Sequence, residues 1–134
     1  METIRTQYIG DLRTEATHVR SGVKLVTDAP VDNKGKGESF SPTDLLATAL
    51  ASCMITIVGI AAQTHGFDIN GVSIKTTKVM AENPRRVGEL IVEIDFREKQ
   101  LSEKDKKIIE VAAKTCPVAL SLHPDLKQTF HFLY

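Results

Sequence analysis

The chain has 134 residues, with 17 basic and 17 acidic side chains and two cysteines. That length suits one domain of the usual size, about 100–200 residues, and lets it bury about two-thirds of its unfolded surface without a disulfide scaffold. Apolar residues at 42% and charged residues at 25% are ordinary globular values and exclude disorder and low complexity. Zero net charge argues against nucleic acid, which demands a basic face, and equally against an anionic membrane surface. Two cysteines cannot build a disulfide-rich secreted fold or a four-sulfur zinc site.

The first twenty residues hold no apolar run like that of a signal peptide, so a cytoplasmic location is expected. Residues 2–9 and 13–20 carry the β-formers Ile4, Tyr8, Thr14, Thr17 and Val19 around a Gly10-Asp11 turn, and predict two paired strands. Val23 to Thr27 predicts a third short strand. Residues 28–40 form a polar loop, a composition found in ligand-facing loops and in plain connectors alike.

Ser41-Pro42-Thr43-Asp44 then reads as a helix start. Ser41 fits the N-cap, Pro42 the first helical position, and Asp44 the reciprocal partner of a capping box. Leu45, Leu46, Leu50, Cys53, Met54, Ile57, Ile60 and Ala61 keep helical spacing to about His65, where Gly66 supplies the stop. Leu45 to Ala62 has no charge and approaches the roughly 18 residues of a membrane span. It contains Thr48, Ser52, Thr56 and Gly59, and no cluster of Lys or Arg marks one flank as cytoplasmic. The stronger reading is a helix buried on nearly all sides in a protein core. One α+β unit of this size rarely surrounds such a helix alone, so a dimer is expected.

Residues 69–80 and 87–97 alternate apolar and polar side chains and predict an antiparallel hairpin tipped by Glu82-Asn83-Pro84-Arg85. Ser102-Glu103-Lys104-Asp105 repeats the capping pattern and opens a helix with Ile108, Ile109, Ala112 and Ala113 inward. Cys116-Pro117 ends it, because a residue before proline avoids the α region. Pro117 can begin a short helix to about Leu122, and Lys127 to Tyr134 predicts a last strand. The order β-β-β-α-β-β-α-α-β gives an α+β fold in one domain spanning residues 1–134.

The cysteines sit in different settings. Cys53 lies about three turns into its helix, where the helix dipole is largely spent, and burial alone would leave it inert. A nucleophilic Cys53 needs a nearby cation. Cys116 falls at the N-cap of a helix, where free N–H groups and the positive helix end favour its thiolate. Both also fit plain packing roles, as small buried hydrophobes, and a structural disulfide is a weaker option in a cytosolic chain. Cys53, His65, Cys116 and His123 have no familiar metal spacing, so no metal is expected. Phosphate-cradling glycine loops and serine-hydrolase elbows are missing.

The segment from Ser41 to Cys53, SPTDLLATALASC, resembles the first-cysteine helix of the OsmC/Ohr family, the osmotically inducible and organic hydroperoxide resistance proteins. Ala112 to Pro117, AAKTCP, resembles its second-cysteine motif, and the order and roughly sixty-residue gap agree. The resemblance implies an intertwined homodimer in which antiparallel sheets from both chains wrap two long central helices. Its sites lie at the subunit interface, beside an arginine from the N-terminal strands. It further implies thiol-dependent reduction of organic hydroperoxides. Cys53 would become a sulfenic acid, Cys116 would resolve it as a disulfide, and an external dithiol would reset the pair. No cofactor is implied.

Arg20 of Val19-Arg20-Ser21-Gly22 matches the family's arginine and would supply the cation for Cys53. Phe40, Leu50 and Met54 would favour organic substrates. The glutamate that holds the arginine in the peroxidase branches is Thr43 here. Asp44 is committed to capping, which leaves Glu38 as the expected partner of Arg20. That departure also admits a different reading, a dimer that binds a hydrophobic ligand or senses redox state with little peroxidase activity.

Overall fold

The computed structural model describes residues 1–134, which form two compact units, Met1–Leu46 and Ala47–Tyr134. In the first unit, β1 (Ile4–Gly10), β2 (Arg13–His18) and β3 (Lys24–Asp28) form an antiparallel sheet in that order. The β1–β2 turn centres on Asp11 and Leu12, with φ of 55° and 61°. Two left-handed residues match the twist of a tight hairpin. The cost of leucine there is offset by the Leu12 N–H, which donates to the Tyr8 hydroxyl at 3.1 Å. Ile4, Tyr8 and Leu25 remain exposed, so the sheet leaves apolar surface uncovered.

A short 3-10 turn, Val31–Asn33, interrupts the loop expected at residues 28–40. The Gly35 N–H donates to the Pro30 carbonyl at 2.9 Å. A Cβ at Gly35 would fall 1.7 Å from the Ala29 carbonyl oxygen, so only glycine fits this fold-back. Helix α1 (Pro42–His65) follows. Its capping box is formed: the Asp44 N–H donates to Ser41 Oγ at 3.1 Å, and the Ser41 N–H to Asp44 Oδ2 at 2.9 Å. Gly66, at φ 77°, ends the helix, and its N–H donates to the Ala62 carbonyl at 2.8 Å.

Ala47, Leu50, Met54, Val58 and Ala62 form the buried stripe of α1. By length and composition α1 could cross a membrane, and 28% of its most apolar window is buried. The expected burial on nearly all sides is therefore not met within one chain.

In the second unit, β4 (Ser73–Ala81) and β5 (Arg86–Asp95) make the expected hairpin, with a cis Asn83–Pro84 bond at its tip. Helix α2 (Glu103–Lys114) starts with a reciprocal Ser102/Asp105 capping box. A short helix α3 (Pro117–Ser121) and strand β6 (Lys127–Leu133) complete the chain. β6 joins parallel to β5, giving a mixed sheet in the order β4-β5-β6 in place of the purely antiparallel arrangement expected. The α2–α3 segment supplies the crossover that a parallel pair requires. Leu90, Val92, Ile94, Phe96 and Ile109 are fully buried core side chains of this unit.

Candidate active site

The second unit places Cys116 at a break between two helices. Thr115 closes α2, its hydroxyl donating to the Val111 carbonyl at 3.0 Å. Cys116 then turns extended, with φ −68° and ψ 147°, because Pro117 follows it. It is the N-cap of α3, and its Sγ accepts the Ala119 N–H at 3.4 Å. Its side chain has no exposed surface. Burial pushes the Cys116 thiol above the usual thiol range, with the Ala119 N–H opposing and the neighbouring Cys53 side chain reinforcing. The expectation that the N-cap would favour a thiolate is thereby corrected: desolvation outweighs the Ala119 and Val118 backbone N–H groups at the start of a five-residue helix.

Cys53 lies in the middle of α1 and is half-buried. Its side chain neighbours that of Cys116 and contributes to raising the Cys116 thiol. Both cysteines are free thiols. The fold thus brings together two sulfurs 63 positions apart in sequence, one partly open and one sealed.

In the first unit the arginine paired with a buried carboxylate is Arg13, which sequence reasoning missed. Its Nε donates to Asp28 Oδ1 at 2.7 Å, and one terminal nitrogen donates to Asp28 Oδ2 at 2.9 Å and Glu38 Oε2 at 3.4 Å. Asp28 is 1% exposed, and its Oδ2 also accepts the Glu38 N–H at 3.1 Å. The Arg13 guanidinium holds the Asp28 carboxyl below its usual range. Arg20 lies exposed in the turn after β2 and forms no ion pair. Glu38, expected to hold Arg20, serves Arg13 instead. The β2–β3 register sets Arg13 opposite Asp28, a pairing that no local sequence pattern marked.

The substrate-facing residues divide as well. Leu50 and Met54 are core side chains with no exposed surface, because helical spacing puts them on the buried stripe of α1. Phe40 is 53% exposed. An apolar groove of about 510 Å³ runs between α1 and α2, with Ile57, Ile60, Ile108 and Val111 on its walls and Lys107 at its edge. Ile57 is one turn beyond Cys53 on α1, and Thr115, the residue before Cys116, also lines the groove, although neither cysteine does. No group of three His, Cys, Asp or Glu side chains is placed to hold a metal ion.

A chain with two three-stranded sheets, one long apolar helix and two adjoining free thiols is an α+β dithiol protein. Residues 35–130 match the family model described as OsmC-like protein, and the chain belongs to that family. It is 54% identical to a Psychrobacter arcticus 273-4 protein whose name places it in osmotic stress induction and the detoxification response. That likeness covers 98% of this chain and 96% of the other, with a TM-score of 0.94. An OsmC-like protein from Mycoplasma pneumoniae shares the fold at 22% identity, covering 98% of this chain and 96% of that one, with a TM-score of 0.76. An organic hydroperoxide resistance protein OsmC from Legionella pneumophila shares it at 16% identity, covering 100% and 98%, with a TM-score of 0.72. Among curated proteins, none matches the chain.

Proposed function

We propose that this protein is a thiol peroxidase for organic hydroperoxides. The observation that carries the reading is the asymmetry of the neighbouring thiols: Cys53 is half-buried, whereas Cys116 is sealed with its proton held. Cys53, as thiolate, attacks the terminal peroxide oxygen. The O–O bond breaks, the hydroxyl passes to Cys53 as a sulfenic acid, and the alkoxide takes back the proton that Cys53 released on ionising and leaves as the alcohol. The Cys116 sulfur then forms the S–S bond, and its proton and the sulfenic hydroxyl leave as water. A small dithiol reduces the disulfide and is itself oxidised. The groove between α1 and α2 takes the organic group of the peroxide. Membership of a family that includes organic hydroperoxide resistance proteins supports this chemistry.

The working form is a homodimer. Support comes from the largely unburied apolar helix α1 and from the first sheet, where Ile4, Tyr8 and Leu25 are exposed. The thiolate needs a cation, and the resemblance assigns that role to Arg20. One observation favours a second reading: Asp28 and Glu38 fix the Arg13 guanidinium, while Arg20 is unpaired. Arg20→Ala and Arg13→Ala separate them. The variant that slows Cys53 oxidation about a hundredfold or more names the activating cation.

The reading is tested by treating reduced protein with cumene hydroperoxide and a dithiol. Cys53→Ser should abolish turnover, and Cys116→Ser should stop at the sulfenic acid or its over-oxidised forms. Thiol oxidation without turnover would make the chain a redox-sensing dimer, and no thiol loss at modest peroxide excess would sink both.

A further inference from the structure

β6 carries Gln128, Phe130 and Phe132 at alternate positions, opposite Leu90, Val92 and Ile94 of β5. Those three β5 residues are fully buried. Gln128 is therefore the one polar side chain in an inward row of apolar ones. Gln128 is only half-buried, yet its amide is engaged within the protein. Its Nε2 donates to the Ala119 carbonyl at 2.9 Å, the one hydrogen bond that joins α3 to the sheet. The N–H of that same Ala119 donates to Cys116 Sγ at 3.4 Å. Gln128, the Ala119 residue and the Cys116 sulfur thus form a single chain of contacts from the sheet to the thiol.

We infer that Gln128 is a positioning residue for the resolving step: by holding Ala119 it fixes α3, and with it the Cys116 sulfur, against Cys53. The five-residue α3 is otherwise held by the burial of Ala119 and of its N-cap Cys116. Its remaining polar contacts, Ser121 Oγ to the Pro117 carbonyl at 2.7 Å and the Leu120 N–H to the Cys116 carbonyl at 3.1 Å, are internal. Gln128 does not touch Cys53, so it governs disulfide closure and leaves the attack on peroxide alone. This inference rests on the peroxidase reading for its catalytic meaning, but the positioning itself can be measured without peroxide.

Two variants and two oxidants test it. Gln128→Met keeps the shape and removes the donor, and Gln128→Lys returns an N–H donor. With one equivalent of tert-butyl hydroperoxide, time-resolved intact mass separates the sulfenic acid, one oxygen heavier, from the disulfide, two hydrogens lighter. Gln128→Met should lose the Cys53 thiol at the wild-type rate, then close the disulfide about tenfold more slowly, as for one lost hydrogen bond. Gln128→Lys should recover most of the closing rate, which general loosening of the fold would not allow. The second oxidant is oxidised dithiothreitol, whose exchange equilibrium reads the effective concentration of Cys116 towards Cys53. That value should fall about tenfold in Gln128→Met and recover in Gln128→Lys. A wild-type chain inert to peroxide would overturn the peroxidase reading while the exchange arm still decides the positioning role. Unchanged exchange and closure in Gln128→Met would overturn that role.

Discussion

Arg13 grips Asp28 through two parallel hydrogen bonds, Nε to Oδ1 at 2.7 Å and a terminal nitrogen to Oδ2 at 2.9 Å, across the β2–β3 register. The planar guanidinium fork matches a carboxylate with two parallel bonds. Asp28 is sealed from solvent, so its charge depends on this partner.

Stability should follow that charge. The Asp28 carboxyl is held below its usual range first by the Arg13 hydrogen bond. The unfolded carboxyl titrates near about 4. The stabilisation is therefore present above that pH and is lost as pH falls through the lower folded value. Asp28→Asn should lower Tm at pH 7, and the gap to wild type should close in strong acid. Thermal melts across pH check this, and an equal gap at pH 7 and in strong acid would contradict it.

The Cys116 thiol titrates in the opposite sense. Its pKa is raised, chiefly by burial. Its contribution to stability is present below the unfolded thiol value of about 8.5 and is lost as pH rises through the higher folded value. In Cys53→Ser, alkylation of Cys116 by iodoacetamide should have its midpoint above that of a free cysteine. A midpoint below it would mean that the N-cap, and not burial, sets the thiol.

The capping box of α2 is a local term that can be removed cleanly. The Asp105 N–H donates to Ser102 Oγ at 3.0 Å, and the Ser102 N–H to Asp105 Oδ2 at 3.0 Å. Ser102→Ala should cost about 1 kcal/mol in urea unfolding with an unchanged m-value. An unmoved midpoint would show that the cap contributes nothing.

Substrate preference should reside in the groove between α1 and α2. Val111 on its wall is 66% exposed, and no hydrogen bond depends on its side chain. Val111→Glu should reduce kcat/KM for cumene hydroperoxide about tenfold, the equivalent of one lost apolar contact, and leave hydrogen peroxide little changed. Equal losses for both peroxides would place the organic group elsewhere.

Features set by neighbours in sequence were legible. Both capping boxes follow from a serine and an aspartate three residues apart, and Pro117 alone is enough to set Cys116 at an N-cap. Features set by tertiary packing were not. The pKa of Cys116 depends on how deeply α3 is buried, which no local pattern encodes. Leu50 and Met54 have the spacing of a core stripe and of a pocket wall alike, and only the fold chooses between them. The direction of β6 depends on the crossover made by α2 and α3. Glu38 found Arg13 because the β2–β3 register had already brought Asp28 to that arginine, a pairing 15 residues apart.

The central claim is that Cys53 and Cys116 act as one redox pair. Its most direct measurement is peptide mapping of reduced protein after one equivalent of cumene hydroperoxide, with remaining thiols blocked before digestion. A peptide pair linked by a Cys53–Cys116 disulfide within one chain is expected, formed as an equal amount of the alcohol is released. Alcohol release with both cysteines recovered as blocked thiols, or a disulfide joining two chains, would contradict it.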